Sequence, residues 1–363
     1  MNADDGAAHQ PKILVINPGS TSTKVAIFAG NQRVCSQTLQ HSSLQFAQHH
    51  RIIEQLAVRT EAIDSFLNTN ALTYLSLQAI AGRGGLLRPL KGGTYNINDK
   101  MCEDLSTARY GEHASNLGAL LARQYSDLFG IPAFVVDPVT LDEFDRPSRP
   151  TGVPGFERKS RIHALNIRSV ARTCARDIGK DLGNTHLVIA HMGGGISVCA
   201  MIEGRIVDST DALLGEGPFS IERAGTLPLA AMMELCFDRG LSKSEITALL
   251  SRRSGFVGMF GVDQLPDVYK IMDGGNHGAD ILLEAMTRQI AKWIGAMVAV
   301  IRRHPDAIVL TGGMANSSRF TESIARYTAH FGPVRIYPGE HEMEALVEGV
   351  LRVLNKEESA LVY

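Results

Sequence analysis

Twice in this chain, about half its length apart, a strand runs into a turn of small residues and leaves as a second strand. The first copy is Lys12-Ile13-Leu14-Val15-Ile16-Asn17-Pro18-Gly19-Ser20-Thr21-Ser22-Thr23-Lys24-Val25-Ala26-Ile27-Phe28, in which apolar, β-branched runs flank a bend of Asn, Pro, Gly, Ser and Thr. The second runs from His186 to Ile202 around Gly193-Gly194-Gly195, and Glu203-Gly204 then turns into a further strand, Arg205–Asp208. Such a turn can aim backbone N–H groups and hydroxyls at an anion, because no bulky side chain keeps a phosphate away. The first is not a P-loop, since the second Gly and the Lys-Ser/Thr pair are missing at the required spacing. A third turn, Thr311-Gly312-Gly313-Met314-Ala315-Asn316-Ser317-Ser318, follows the apolar run Ala307–Leu310, with Asn316 or Ser317 placed to cap a helix. One such hairpin is ordinary. Three strand-ended glycine turns point to a duplicated α/β fold that binds nucleotide phosphates.

Composition narrows the class. A chain of 363 residues with 44% hydrophobic content buries a large core and divides into two domains. A net charge of −2, with 20% charged residues, gives no footprint for nucleic acid or an anionic membrane. Residues Met1–Gln10 are polar and acidic, read as disordered, with no signal-peptide core. The run Trp293–Ile301 between Lys292 and Arg302 is too short to span a bilayer. Cysteines 35, 102, 174, 199 and 236 are scattered without a CxxC pair, as suits buried thiols in a reducing cytoplasm. Helical patterns cover Arg51–Leu67, Leu105–Phe129, His163–Asp177, Asp280–Arg303 and Glu342–Leu354, and a short strand covers Ala133–Val136. The Pro- and Gly-rich stretch Pro147–Gly155 cannot hold a helix and reads as the passage between domains.

The three turns, together with Leu213-Leu214-Gly215-Glu216-Gly217-Pro218-Phe219-Ser220-Ile221-Glu222-Arg223-Ala224-Gly225-Thr226, resemble the acetate/butyrate kinase family from about Lys12 to Leu354, in the family's order. The run Asn17–Lys24 reads as in the family's butyrate-kinase branch. The resemblance implies an α/β fold of two duplicated ribonuclease-H-like (actin-like ATPase) domains with a nucleotide cleft between them. It implies domains at 1–147, rejoined by the C-terminal helix 345–363, and at 148–344. It also implies an acyl kinase that reversibly transfers the ATP γ-phosphate, with Mg²⁺, to butyrate, giving butyryl phosphate and ADP. A branched-chain fatty-acid or propionate kinase is the alternative among enzymes. Outside them stands an actin- or Hsp70-like nucleotide switch, against which counts the lack of a peptide-binding domain. A cytoplasmic homodimer or higher homo-oligomer is expected.

Phosphoryl transfer asks the protein for positioning and positive charge. A short-chain fatty acid, with a pKa like that of Glu at about 4.3, is already ionised at neutral pH, so no strong base is needed. What is needed is a way to bring one anion to another. Arg83, within Ala81-Gly82-Arg83-Gly84-Gly85, offers a planar fork for carboxylate or phosphate oxygens. By resemblance Arg83 binds substrate, and Arg223 is the second arginine at the transferring phosphoryl group. His113, His163 and His191 match family active-site histidines: His113 toward substrate, His163 toward the transition state, His191 shaping the phosphate turn. No HExxH or other zinc spacing accompanies them. Asp137 follows Val135-Val136, so its carboxylate emerges at a strand end, where α/β sites collect. It matches the catalytic Asp that organises Mg²⁺. Glu344 matches the metal-linked glutamate, with Glu342 as its rival in the same cluster. Asn17, Ser20 and Thr21 are expected on the transferring phosphate, His191 with Gly193, Gly194 and Gly195 around another, and Gly312, Gly313 and Asn316 beside adenosine. Acetate kinases carry bulky residues where this chain has Gly84 and Gly85. Their loss is expected to open space for a longer acyl tail, unless the turn needs glycine for its own backbone.

Overall fold

In the computed structural model of this chain, residues 10–42, 46, 51–70 and 76–363 are described. The stretch expected to be disordered, Met1–Gln10, lies outside them except for Gln10. The chain divides into two compact units: residues up to Leu141 together with His341–Tyr363, and Asp142–Glu340.

In the first unit β1 (Lys12–Pro18), β2 (Ser22–Ala29) and β3 (Gln32–Gln40) form an antiparallel meander. After a 3₁₀ turn at Ile52–Gln55 and helix α1 (Leu56–Thr69), β4 (Leu77–Gly82) returns parallel to β1. Strand β5 (Thr94–Asn96), helices α2 (Asp99–Ser106) and α3 (Asn116–Phe129), and β6 (Ala133–Val136), parallel to β4, follow. Ile13, Leu14, Val15 and Ile16 are all fully buried, which explains the unbroken apolar run: β1 is covered on both faces. Leu14 and Ile16 share a core cluster with Leu117 and Leu121 of α3, which packs on β1. The single helix expected over Leu105–Phe129 is two helices. Ala108 at φ 53° and Gly111 at φ 123° turn the chain out of helical geometry, so His113 lies in a loop.

The second unit repeats the plan. Helix α4 (Ala164–Asp177) precedes the meander β7 (His186–Met192), β8 (Ile196–Ile202) and β9 (Arg205–Ser209). Helices α5 (Leu229–Met233), α6 (Lys243–Arg252), α7 (Gly255–Phe260), α8 (Leu265–Asp273) and α9 (His277–Ile301) intervene. Strand β10 (Ala307–Gly312) then pairs parallel with β7, and after α10 (Ser318–Thr328), β11 (Val334–Pro338) pairs parallel with β10. The Asn276 side chain caps α9 by accepting from Ala279 N at 3.1 Å, and Arg302 ends it at φ 60°. Ser317, the second of the two expected caps, is the one that accepts from Phe320 N at the start of α10.

The chain then returns to the first unit as α11 (Glu342–Leu354), which packs on β1, β4 and β6, and β12 (Leu361–Val362), which pairs with β5. The orders β3-β2-β1-β4-β6 and β9-β8-β7-β10-β11 are the same five-strand arrangement, so the duplication read from the turns is a duplication of whole sheets.

Candidate active site

The parallel strands β1, β4 and β6 are neighbours, with Ile16, Gly82 and Val135 in register, so Asn17, Arg83 and Asp137 leave the sheet at one edge. Arg83 N donates to Ile16 O at 2.9 Å, extending the pairing by one residue. The Arg83 guanidinium forms an ion pair with Glu342, and Asn17 Nδ2 donates to the other oxygen of that carboxylate at 2.9 Å. Glu342, the first residue of α11, thus joins the two residues expected to meet substrate and phosphate. Asp137 is 1% exposed and sits at φ 40°, a backbone state that non-glycine residues adopt at functional strand ends. Gly93 N donates to its Oδ1 at 2.7 Å. His113 is exposed, and its Nδ1 shares a hydrogen bond with Ser115 Oγ at 2.8 Å.

Within the second unit, His163 is the residue before α4, and its Nδ1 lies 2.9 Å from Ser197 Oγ on β8. Its ring stacks on His191, with centroids 3.9 Å apart and planes 14° from parallel. Asn166 Nδ2 contacts His191 Nδ1 at 2.8 Å, leaving the buried Nε2 as the nitrogen aimed toward Glu340, 3.7 Å away. The 193–195 turn is closed by Gly193 N donating to Gly195 O at 3.0 Å. Arg223 lies against it: a Cβ on Gly195 would stand 2.8 Å from the guanidinium carbon. Burial lowers the Arg223 pKa, and Glu222 Oε1 stands 3.6 Å from its Nε. Ile196, Asp211, Leu213, Leu214 and Pro218 line the hollow beside this arginine. At the third turn Gly312 adopts φ 91°, with its α-carbon packed on the Met192 backbone. Gly313 faces open space, and Asn316 Nδ2 donates to Gly313 O at 2.9 Å.

Residues 156–361, more than half of the chain, match the Acetokinase family. The chain belongs to the Acetokinase family. Over 352 residues, 97% of this chain and 99% of the relative, its sequence is 42% identical to butyrate kinase 2 of Clostridium acetobutylicum. Its fold is similar to that of a propionate kinase from Francisella tularensis, with a TM-score of 0.76 and 18% identity, covering 93% of this chain and 98% of that one. An acetate kinase from Porphyromonas gingivalis superposes with a TM-score of 0.78 at 18% identity, covering 95% and 100%. The acetokinase is therefore an acyl kinase, a phosphotransferase with a carboxyl group as acceptor, on an actin-like ATPase fold.

In this acetokinase the two glutamates of the 340–344 cluster face different partners, and the open space expected at Gly84 and Gly85 is not found. Glu344 does not reach Asn17 or Arg83; it pairs with Arg33 of β3, an exposed ion pair. Residues two apart on a helix point about 200° away from each other, so only one of the two glutamates can face the sheet edge. Gly84 and Gly85 open no pocket. A Cβ on Gly84 would stand 2.6 Å from Val135 Cγ1 and 2.8 Å from Pro138 Cβ, and one on Gly85 would stand 2.7 Å from Asn116 N. The space is filled by the protein's own atoms, and glycine is there for close approach. Gly85→Ala should therefore cost about 1–3 kcal/mol of stability, read by denaturant or thermal unfolding, without widening the range of acids accepted.

Sequence reasoning missed three polar residues that hold the site in shape. Asn116, 2% exposed, accepts from Leu86 N at 2.8 Å and donates to Gly111 O at 2.9 Å, tying the Arg83 turn to the His113 loop. Asn166 ties His191 to Thr311, and Arg59 lies beneath the first turn. Their only sequence signal is a polar residue at an otherwise apolar helix position.

Proposed function

We propose that this acyl kinase phosphorylates butyrate from ATP, reversibly, in the cytoplasm. The observation that carries the reading is the ion pair of Arg83 with Glu342, joined by Asn17, at the sheet edge of a chain 42% identical to a butyrate kinase. Arg83 takes the acid's carboxylate, and Glu342 orients its guanidinium. Asn17, Ser20 and Thr21 donate to the phosphoryl group, and Arg223 with His163 neutralises and hydrogen-bonds it as it moves. His191 shapes the 193–195 turn that cradles the nucleotide phosphates, and Gly312, Gly313 and Asn316 flank adenosine. His113, exposed in its loop, serves the acid side. The carboxylate attacks in line, so no proton has to be removed from it.

Asp137 and Glu342 offer hard oxygen donors of the kind Mg²⁺ takes. Mg²⁺ in kinases rests on one or two carboxylates plus substrate phosphates rather than in an all-protein cage. When bound, the ion supplies charge neutralisation on the polyphosphate.

Leu229, Met233 and Phe237 recur at four-residue spacing and are exposed, an apolar face that supports a homodimer. No helix among the described residues is long and apolar enough to cross a membrane.

The test is ATP- and Mg²⁺-dependent acyl phosphate formation, trapped with hydroxylamine, over straight and branched acids from acetate to valerate. The expected result is a butyrate optimum, with neighbouring acids lower by roughly tenfold per methylene. A branched-acid or propionate optimum keeps the chemistry and replaces the substrate. No trapped product with any acid would overturn the reading in favour of a nucleotide switch.

A further inference from the structure

Arg59, near the start of α1, is fully buried beneath the turn that joins β1 and β2. Its Nη1 donates to Ser22 O at 2.9 Å and Thr23 Oγ1 at 2.8 Å, and its Nη2 to Gly19 O at 2.8 Å and Ser20 O at 3.4 Å. Gln55 Oε1 accepts from Nη2 at 2.8 Å and holds the fork from behind. The remaining carbonyl of the bend, Thr21 O, accepts from His41 N at 2.9 Å. Every carbonyl from Gly19 to Ser22 is thus engaged, three of them by one guanidinium. The amides of Ser20 and Thr21 donate to no group among the described residues, and both residues are exposed.

None of the groups that bind Arg59 is a carboxylate, and no described acidic residue pairs with it. Other enclosed arginines here do have carboxylate partners: Arg158 with Asp208 and Glu216, Arg149 with Asp142. A buried charge without a counter-ion is costly, even when its hydrogen bonds are satisfied, and a nearby anion would offset that cost. Burial pushes the Arg59 pKa down to about 10, so the group is still cationic at neutral pH.

We infer that Arg59 is the positioning residue of the first turn, holding its carbonyls inward so that Ser20 and Thr21 present only donors, with the transferred phosphoryl group as its counter-ion. This rests on the reading that the 17–21 turn takes that phosphoryl group. Arg59 itself does not touch substrate.

The experiment compares Arg59→Met, Arg59→Lys, Asn17→Ala and Ser20→Ala by steady-state kinetics with ATP and butyrate, alongside thermal melting of each. Arg59→Met should lose roughly 10- to 100-fold in kcat, the worth of hydrogen bonds from a charged donor, with the KM for the acid little changed. Arg59→Lys keeps the charge but cannot fork to Gly19 and Ser22 together, so it should fold and still lose most of its turnover. It carries the test if the Met variant does not fold. In a further variant, Arg59→Ala, added guanidinium ion should restore turnover where the same ionic strength of sodium chloride does not. A folded Arg59→Met or Arg59→Lys with parental kcat overturns the proposal, as does a loss in which KM for the acid rises and kcat holds. If Asn17→Ala and Ser20→Ala lower kcat while Arg59→Met does not, the proposal fails alone. If those two are also silent, the phosphate reading of the turn fails and takes the proposal with it.

Discussion

Replacing Arg83 by Ala should lower the turnover of this acyl kinase by about a thousandfold, the scale set by loss of a charged group that positions a reacting anion. Two effects add. The fork proposed to receive the acid's carboxylate is gone, and Glu342 loses its pairing with Arg83 where two anions are to meet. Arg83→Lys restores charge without the planar fork and should recover only part of the loss. The measurement is hydroxylamine-trapped acyl phosphate under saturating ATP, with nucleotide affinity followed separately by calorimetry. Affinity should be largely spared, because the turns at 193–195 and 311–316, proposed to hold the nucleotide, belong to the other unit. Unchanged turnover would remove Arg83 from the mechanism.

The second large effect separates two glutamates that differ by two positions. Glu342→Gln should cost roughly 100- to 1,000-fold in kcat, the loss typical of one charge-stabilising group in a phosphoryl-transfer site. Glu344→Gln should stay near the parent, since its bond to Arg33 is an exposed surface pair, worth about 0–1 kcal/mol to stability. Titrating Mg²⁺ against both variants adds an independent readout: the midpoint should rise for Glu342→Gln alone. The reverse pattern would restore Glu344 as the metal-linked residue.

Both glutamates lie in the first turn of one helix, and sequence alone gave no means of choosing between them, because the choice depends on how α11 is rotated about its axis on the sheet. Residues whose placement follows from local chemistry were easier to read. The small-residue bends at 17–21, 193–195 and 311–316 are visible as breaks between apolar runs, and Asp137 is visible as the first polar residue after one. Each sits at a strand end, as the pattern requires. What failed were inferences about space. Gly84 and Gly85 looked like missing side chains and proved to be sites where Val135, Pro138 and Asn116 approach too closely for any side chain. The role of Arg59 had no local signal, since nothing nearby in sequence announces that a turn 40 residues earlier will close over it. The break at Ala108 and Gly111 was hidden inside a stretch whose composition reads as helical throughout.

The return of α11 to the first sheet has a consequence for how the chain is made. Leu346, Val347 and Val350 are fully buried there, and Glu342 completes the Arg83 pair, yet about 200 residues of the second unit are translated before they exist. At ordinary elongation rates that is roughly 10–40 s during which the first sheet has one uncovered face. The second unit, continuous in the chain, waits on no later segment. The first sheet keeps an open face until α11 has been made. A nonsense change at the start of α11 therefore disarms the part of the chain made first.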